Sequence, residues 1–130
     1  MECIQLSTQH RMRPEIAKIM SHIYSGLKDH ESVRRFPDVL GVDKNMFFID
    51  HEEPETENTE LRSPSNLHEA KFIKALCNYF ILQGYEPTQI TILTMYTGQI
   101  LALKKIMDKT NFEGVRVTAV DNFQGRPCSA

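Results

Sequence analysis

The sequence predicts an α/β fold, a mostly parallel sheet flanked by helices, and three observations carry that expectation. Short apolar runs rich in β-branched residues, such as Ile90 to Leu93 and Val115 to Val120, recur along the chain. Between them lie stretches whose apolar residues repeat at helical spacing. Strands alternating with helices favour right-handed crossovers and therefore parallel pairing. The third observation is that polar clusters fall where strands end or helices begin. Open α/β sheets gather ligands there, because several loops converge.

Taken in order, Cys3 to Leu6 reads as a short strand. Pro14 suits the first turn of a helix, where its missing N–H costs nothing. Ile16, Ile19, Met20 and Ile23 then recur at helical spacing, and Gly26 is the stop. Residues 27–45 show no clear period, whereas Met46 to Ile49 form a compact apolar run that reads as a buried strand. From Asp50 to Ser65 the chain turns acidic and proline-punctuated, with Glu52, Glu53, Pro54, Glu55, Glu57, Glu60 and Pro64. A solvated surface loop is the expectation, with a partner-binding acidic motif as the alternative.

Asn66 and Glu69 have the spacing of a helix-capping box. Behind them Ala70, Ile73, Leu76, Cys77, Phe80 and Ile81 make one apolar face, and Gly84 offers the terminating left-handed residue. Ile90 to Leu93 is the next strand. Thr97 or Gly98 opens a further helix, with Ile100, Leu103, Ile106 and Met107 facing inward. Val115, Val117 and Val120 belong to the last strand.

Composition narrows the function classes. With 130 residues, 41% hydrophobic and 25% charged, the chain is sized for one domain with a core. A formal net charge of -2 excludes a globally basic nucleic-acid binder, so any such contact is local. Cys3, Cys77 and Cys128 are widely spaced, and neither they nor the five histidines show metal-ligand spacing. Cys77 lies on the apolar helix face, as a reduced core thiol would. No signal peptide or membrane-spanning run is visible, so an intracellular, reducing compartment is the expectation.

Three polar clusters could carry chemistry. Gln9, His10, Arg11 and Arg13 stand just before the first helix. An arginine there can grip a phosphate with two parallel hydrogen bonds, and the His10 ring can stack on a base. The alternative is an ordinary charged helix start. Thr94, Tyr96, Thr97 and Gln99 follow the Ile90 strand, with hydroxyls for backbone phosphates and a ring for stacking on single strands. Taken alone, this cluster is better explained by a capped turn with a half-buried tyrosine. Thr118, Asp121, Gln124, Gly125 and Arg126 close the chain. Gly125 permits close backbone approach to a ligand, and Gln124 can position a water or a phosphate oxygen.

The clusters, in this order, resemble a family. Gln9-His10-Arg11-Met12-Arg13-Pro14 resembles the Gln-Tyr/His-Arg-Met-x-Pro motif that opens the second RecA-like domain of superfamily 1 helicases. The match is to the branch containing the nonsense-mediated-decay helicase and senataxin. Ser65 to Ala70 is similar to that branch's Asn-x-x-Glu-Ala segment, and Ile92 to Gln99 to its Ile-x-Thr-Pro-Tyr-x-x-Gln motif. Val117 to Gly125 is similar to its Val-Asp-x-Phe-Gln-Gly motif. The likeness extends to the NFX-type zinc-finger helicases, without their zinc fingers.

The resemblance implies a RecA-like P-loop-NTPase fold without its own P-loop, here a partial domain over residues 1–130. It implies that Arg11 reaches the γ-phosphate of ATP across the cleft from the first RecA-like domain, as the catalytic arginine. Gln9, His10, Gln124 and Gly125 would lie against the nucleotide, His10 near the adenine. Thr94 and Thr118 would hold the backbone of single-stranded RNA or DNA, with Tyr96 and Gln99 supporting that loop. ATP and Mg2+ would be used only with the first RecA-like domain.

Two departures qualify the match. Pro127 stands where the family has a glutamate near the ribose, and proline supplies neither a carboxylate nor a backbone donor. The tail Arg126 to Ala130 reads as foreign to the motif, as a splice variant or frameshift would produce, and later strands of the sheet are missing. No Gly-x-x-x-x-Gly-Lys-Ser/Thr loop occurs. The expected function is one side of a helicase's ATP cleft and part of its nucleic-acid surface, not catalytic alone. A truncated, non-enzymatic interaction or nucleic-acid-binding protein is the alternative; a small flavodoxin-like nucleotide-binding module is a weaker one, opposed by the absence of a glycine-rich loop.

Overall fold

In the computed structural model, which describes residues 6–58, 62–108 and 110–123, three two-stranded ladders alternate with helices, and two of the ladders are parallel. This is the α/β architecture that the alternation of apolar runs predicts. The chain divides into two compact units, Met1–Ile49 and Asp50–Ala130.

In the first unit β1 (Thr8–Gln9) pairs in parallel with β2 (Lys28–Asp29), Gln9 standing opposite Asp29. Cys3 to Gln5 of the expected first strand lie outside the described residues. The helix α1 (Pro14–Ile19) starts on Pro14 as expected, then gives way to a 3₁₀ turn over Met20–His22. It is shorter than the apolar spacing predicts. Six residues make under two turns, too few to bring Ile16, Ile19 and Ile23 into one stripe. Ile19 and Ile23 are accordingly 60% and 71% exposed, and the chain reverses at Gly26 with φ of +86°. A second 3₁₀ helix, Glu31–Arg35, is capped by His30 and buries Val33.

The expected strand Met46 to Ile49 is corrected. It is neither paired nor buried among the described residues, and Phe48 is 92% exposed. Apolar side chains supply a preference for burial, but a strand also needs a neighbour for its backbone groups.

In the second unit the acidic stretch is not wholly a loop. Its second half forms an antiparallel ladder, β3 (Thr56–Asn58) with β4 (Ser63–Ser65). The helix α2 (Leu67–Leu82) follows, with Ala70 and Cys77 buried, and Gly84 ends it at φ +103° as expected. Next come β5 (Thr91–Thr94), α3 (Thr97–Ile106) and β6 (Arg116–Ala119), and β5 pairs in parallel with β6. Ala70, Cys77, Ile92, Leu103, Met107 and Phe112 form the core, with Ile73, Ile81, Ile106 and Val117 packed around it. Leu103 is almost fully enclosed, and burying such a side chain stabilises by about 1.5–3 kcal/mol. Strand alternation sends Ile92 inward and leaves Leu93 45% exposed. Val120 lies past the strand, in a 3₁₀ turn, and is exposed rather than buried.

Candidate functional site

The loop between β1 and α1 is organised by one side chain. Gln9 Nε2 donates to the Met12 carbonyl at 2.7 Å and to Asp29 Oδ1 at 2.7 Å. Gln9 Oε1 accepts from the Arg11 and Met12 backbone N–H groups at 2.9 and 2.7 Å. A glutamine amide has two donors and two lone-pair directions, so Gln9 is fully used inside the protein. It shapes the loop that presents its neighbours.

The two arginines of that loop differ. Arg13 is largely covered: its Nη1 donates to the Phe36 carbonyl at 3.5 Å and lies 3.8 Å from Asp38 Oδ1, and its Nη2 donates to the Pro37 carbonyl. Its guanidinium also stands 5.9 Å from the centre of the Phe36 ring. Arg11, by contrast, is exposed, and its guanidinium has no partner among the described residues. A planar five-donor fork is thus held outward on a clamped loop, ready for a phosphate or carboxylate. His10 is exposed beside it, its ring 4.0 Å from that of His30, centroid to centroid.

In the second unit, Thr94 is the last residue of β5 and Thr118 the last but one of β6, and the two parallel strands point their C-terminal ends the same way. The register pairs Leu93 with Thr118 and Thr94 with Ala119, which puts the two threonines on opposite faces of the ladder. Thr94 is buried, and its Oγ1 donates to the Tyr96 carbonyl at 3.2 Å. Thr118 is half-buried, its Oγ1 3.4 Å from the Ala119 carbonyl. Tyr96 is 52% exposed at the N-cap of α3, with a free ring face for stacking.

Gln99 points the other way. Its Oε1 accepts from the Asn66 backbone N–H at 2.7 Å, and its Nε2 donates to the Asn66 carbonyl at 3.0 Å and to Glu69 Oε2 at 3.4 Å. Both Gln99 and Asn66 are buried. The capping box expected of Asn66 and Glu69 is therefore half realised. Asn66 Oδ1 accepts from the His68 and Glu69 N–H groups, but its own N–H goes to Gln99. Glu69 instead meets Gln99 through Oε2 and His51 through Oε1, which lies 3.1 Å from His51 Nε2.

Gly98 completes the junction. Its N–H donates to Ser63 Oγ at 2.9 Å, and a Cβ there would stand 2.6 Å from the Pro64 carbonyl oxygen. The sequence reading missed this close approach. It also missed Gln99 as a buried link, although Gln99 lies one helical turn before the buried Leu103. Gln124 and Gly125 lie outside the described residues.

Comparison with known proteins agrees with the motif order. The AAA domain family model matches residues 1–130. NFX1-type zinc finger-containing protein 1 of Homo sapiens is 50% identical over 123 residues, which is 94% of this chain and 6% of the human protein. Helicase required for RNAi-mediated heterochromatin assembly 1 of Schizosaccharomyces pombe is 33% identical over 129 residues, covering 96% of this chain and 13% of the yeast protein. Regulator of nonsense transcripts 1 of Dictyostelium discoideum is 29% identical over 136 residues, covering 94% and 10%. The chain thus spans a small share of each relative's length. Its four ordered motifs and these matches show that the chain belongs to the AAA domain family, in the superfamily 1 helicase branch.

Proposed function

We propose that this chain supplies one side of an ATP cleft and part of a single-stranded nucleic-acid surface in a superfamily 1 helicase, as its second RecA-like domain. The observation that carries the reading is the division of labour around Arg11. Gln9 and Arg13 spend their polar atoms on holding the chain, and Arg11 alone is presented outward. In this reading Arg11 meets the γ-phosphate, His10 lies against the base, and Gln9 acts by shaping the loop. Gln124 and Gly125 belong to the same reading on motif alone. Of the two threonines, Thr118 is the one to hold a phosphate backbone and Tyr96 stacks, while Thr94, buried with its hydroxyl on the Tyr96 carbonyl, sets the loop together with Gln99.

Magnesium does not fit this chain by itself. Among the described residues no three His, Cys, Asp or Glu side chains converge, and the sequence has no P-loop. The ion and the phosphate loop would come with the first RecA-like domain. In this reading the chain by itself does not catalyse, since phosphoryl transfer needs these parts assembled together. No described helix is long and apolar enough to cross a membrane.

The test is amide NMR of the chain titrated with ATP and then with a short single-stranded RNA. Shifts at His10 and Arg11 with ATP, lost in Arg11→Ala, and shifts at Thr94, Tyr96 and Thr118 with RNA are the expected outcome. ATP turnover that depends on Arg11 in the purified chain would overturn the non-catalytic part. Unmoved peaks would favour a non-enzymatic interaction protein, a second reading supported by the exposed run from Met46 to Ile49.

A further inference from the structure

We infer that His30 is a positioning residue that holds the His10 ring as a stacking platform for the nucleotide base. The inference rests on the proposed ATP cleft and adds a residue that none of its motifs contains. The ring centroids of His10 and His30 are 4.0 Å apart with planes tilted by 32°, a close, tilted ring-on-ring contact. A ring stacked on one face has its other face left for a base. Both rings are exposed, so the pair lies at the surface rather than in the core.

His30 is fixed from three directions. Its backbone N–H donates to the Gln9 carbonyl at 3.0 Å, extending the β1–β2 ladder by one bond. The preceding residue, Asp29, accepts from Gln9 Nε2. Its ring Nδ1 accepts from the Ser32 N–H at 3.2 Å and lies 2.9 Å from Ser32 Oγ, as the cap of the 3₁₀ helix Glu31–Arg35. With Nδ1 accepting, the neutral ring carries its proton on Nε2, and the cap sets the ring's direction. An exposed histidine would otherwise sample several rotamers. Here the cap immobilises His30, and the stack passes that order to His10.

The two roles of His30 can be separated by substitution. His30→Asn keeps a good capping oxygen and removes the ring. His30→Phe keeps the ring and removes the acceptor. The experiment measures ATP affinity and the His10 ring-proton shifts of the full chain by NMR, in wild type and both variants. In the expected result, wild-type His10 protons are displaced by the neighbouring ring and move with ATP. His30→Asn abolishes the displacement and weakens ATP about fivefold, the lower end of base–aromatic stacking. His30→Phe keeps a ring beside His10 but loses its anchor to Ser32, so it shows part of both effects, less than His30→Asn, and unfolds more readily. ATP affinity of His30→Asn equal to wild type overturns the inference and leaves the cleft standing. Equal weakening in both variants assigns the effect to the cap and overturns it too. No response to ATP at His10 and Arg11 in wild type overturns the cleft, and the inference with it.

Discussion

Arg11 and Arg13 are two residues apart and chemically identical, yet their surroundings assign them opposite work. Arg13 gives its donors to the Phe36 and Pro37 carbonyls and lies over the Phe36 ring. Its pairing with Asp38 adds little, because that carboxylate is 89% exposed and screened by water. Removing the side chain gives up two solvent-accessible hydrogen bonds and uncovers a ring, so Arg13→Ala is expected to lower unfolding stability by about 1 kcal/mol. Arg11→Ala removes no described partner and is expected to stay within about 0.5 kcal/mol of wild type. Urea unfolding measures both, and equal losses would show that Arg11 is not free. Cys77 offers a residue-scale prediction with a sign. Burial in the core raises its thiol pKa, because the thiolate would be desolvated. A folded pKa above the unfolded one means the contribution to stability is present below the unfolded value and is lost as pH rises through the folded value. In a chain with Cys3 and Cys128 replaced by serine, alkaline pH should therefore narrow the stability gap between folded and unfolded states. Thiol labelling in the native state should follow unfolding, and prompt labelling at neutral pH would contradict the burial.

At the scale of elements, the junction of β4, α2 and α3 depends on a missing side chain. Alanine favours a helix over glycine by about 1 kcal/mol, so propensity alone makes Gly98→Ala stabilising. A Cβ at that position would meet the Pro64 and Ser63 carbonyl oxygens at 2.6 and 2.7 Å, both backbone atoms that cannot swing aside. Overpacking of this kind costs about 1–3 kcal/mol. The clash wins, and thermal unfolding of Gly98→Ala should show a net loss of about 1 kcal/mol; a gain would mean that the helix start can draw back from β4. How far these elements could be read in advance follows from their physics. The elements α2, α3, β5 and β6 carry apolar periodicity and caps, signals that lie within each segment. The β3–β4 ladder carries none, since Thr-Glu-Asn and Ser-Pro-Ser contain no run of aliphatic or aromatic residues, and its backbone pairing is joined by cross-strand bonds from the Thr56 and Ser65 hydroxyls. Met46 to Ile49 failed in the opposite sense, with apolar side chains but no partner strand among the described residues. Gln99 was found as a polar residue in a motif, but a motif does not give direction. Its place four residues before Leu103 put it on the buried face of α3, and that was the signal available. His30 carried no comparable signal, because its significance lies in a ring brought close by a parallel pair of strands.

For the molecule as a whole, the two units differ in what holds them. Among the described residues of the first unit, Ala17 and Val33 are the buried apolar side chains, and the ladder is two residues long. The second unit buries Ala70, Cys77, Ile92, Leu103, Met107 and Phe112 in one cluster beneath a four-residue parallel ladder and two longer helices. Apolar burial is the dominant favourable contribution to folding, so the second unit has the greater reserve against opening. Polar clamps in the first unit do not close this gap. A typical hydrogen bond nets only about 0.5–1.5 kcal/mol after exchange with water, and those of Gln9 and Arg13 are partly exposed. Opening should therefore be stepwise, with free energies that differ between units. Native-state hydrogen exchange in low urea measures this directly. Amides of α1 and of the turn after it should exchange through an opening of low free energy and small surface exposure. Amides of α2, β5 and α3 should merge only at the global unfolding limit. A single merging isotherm for both groups would show one cooperative unit. In the stepwise case, the loop bearing His10 and Arg11 sits on the less stable part, and a ligand that binds there should slow exchange in α1 more than in α3. ATP is the ligand to add: selective protection of α1 would connect the weak unit to nucleotide binding, and uniform or absent protection would separate them.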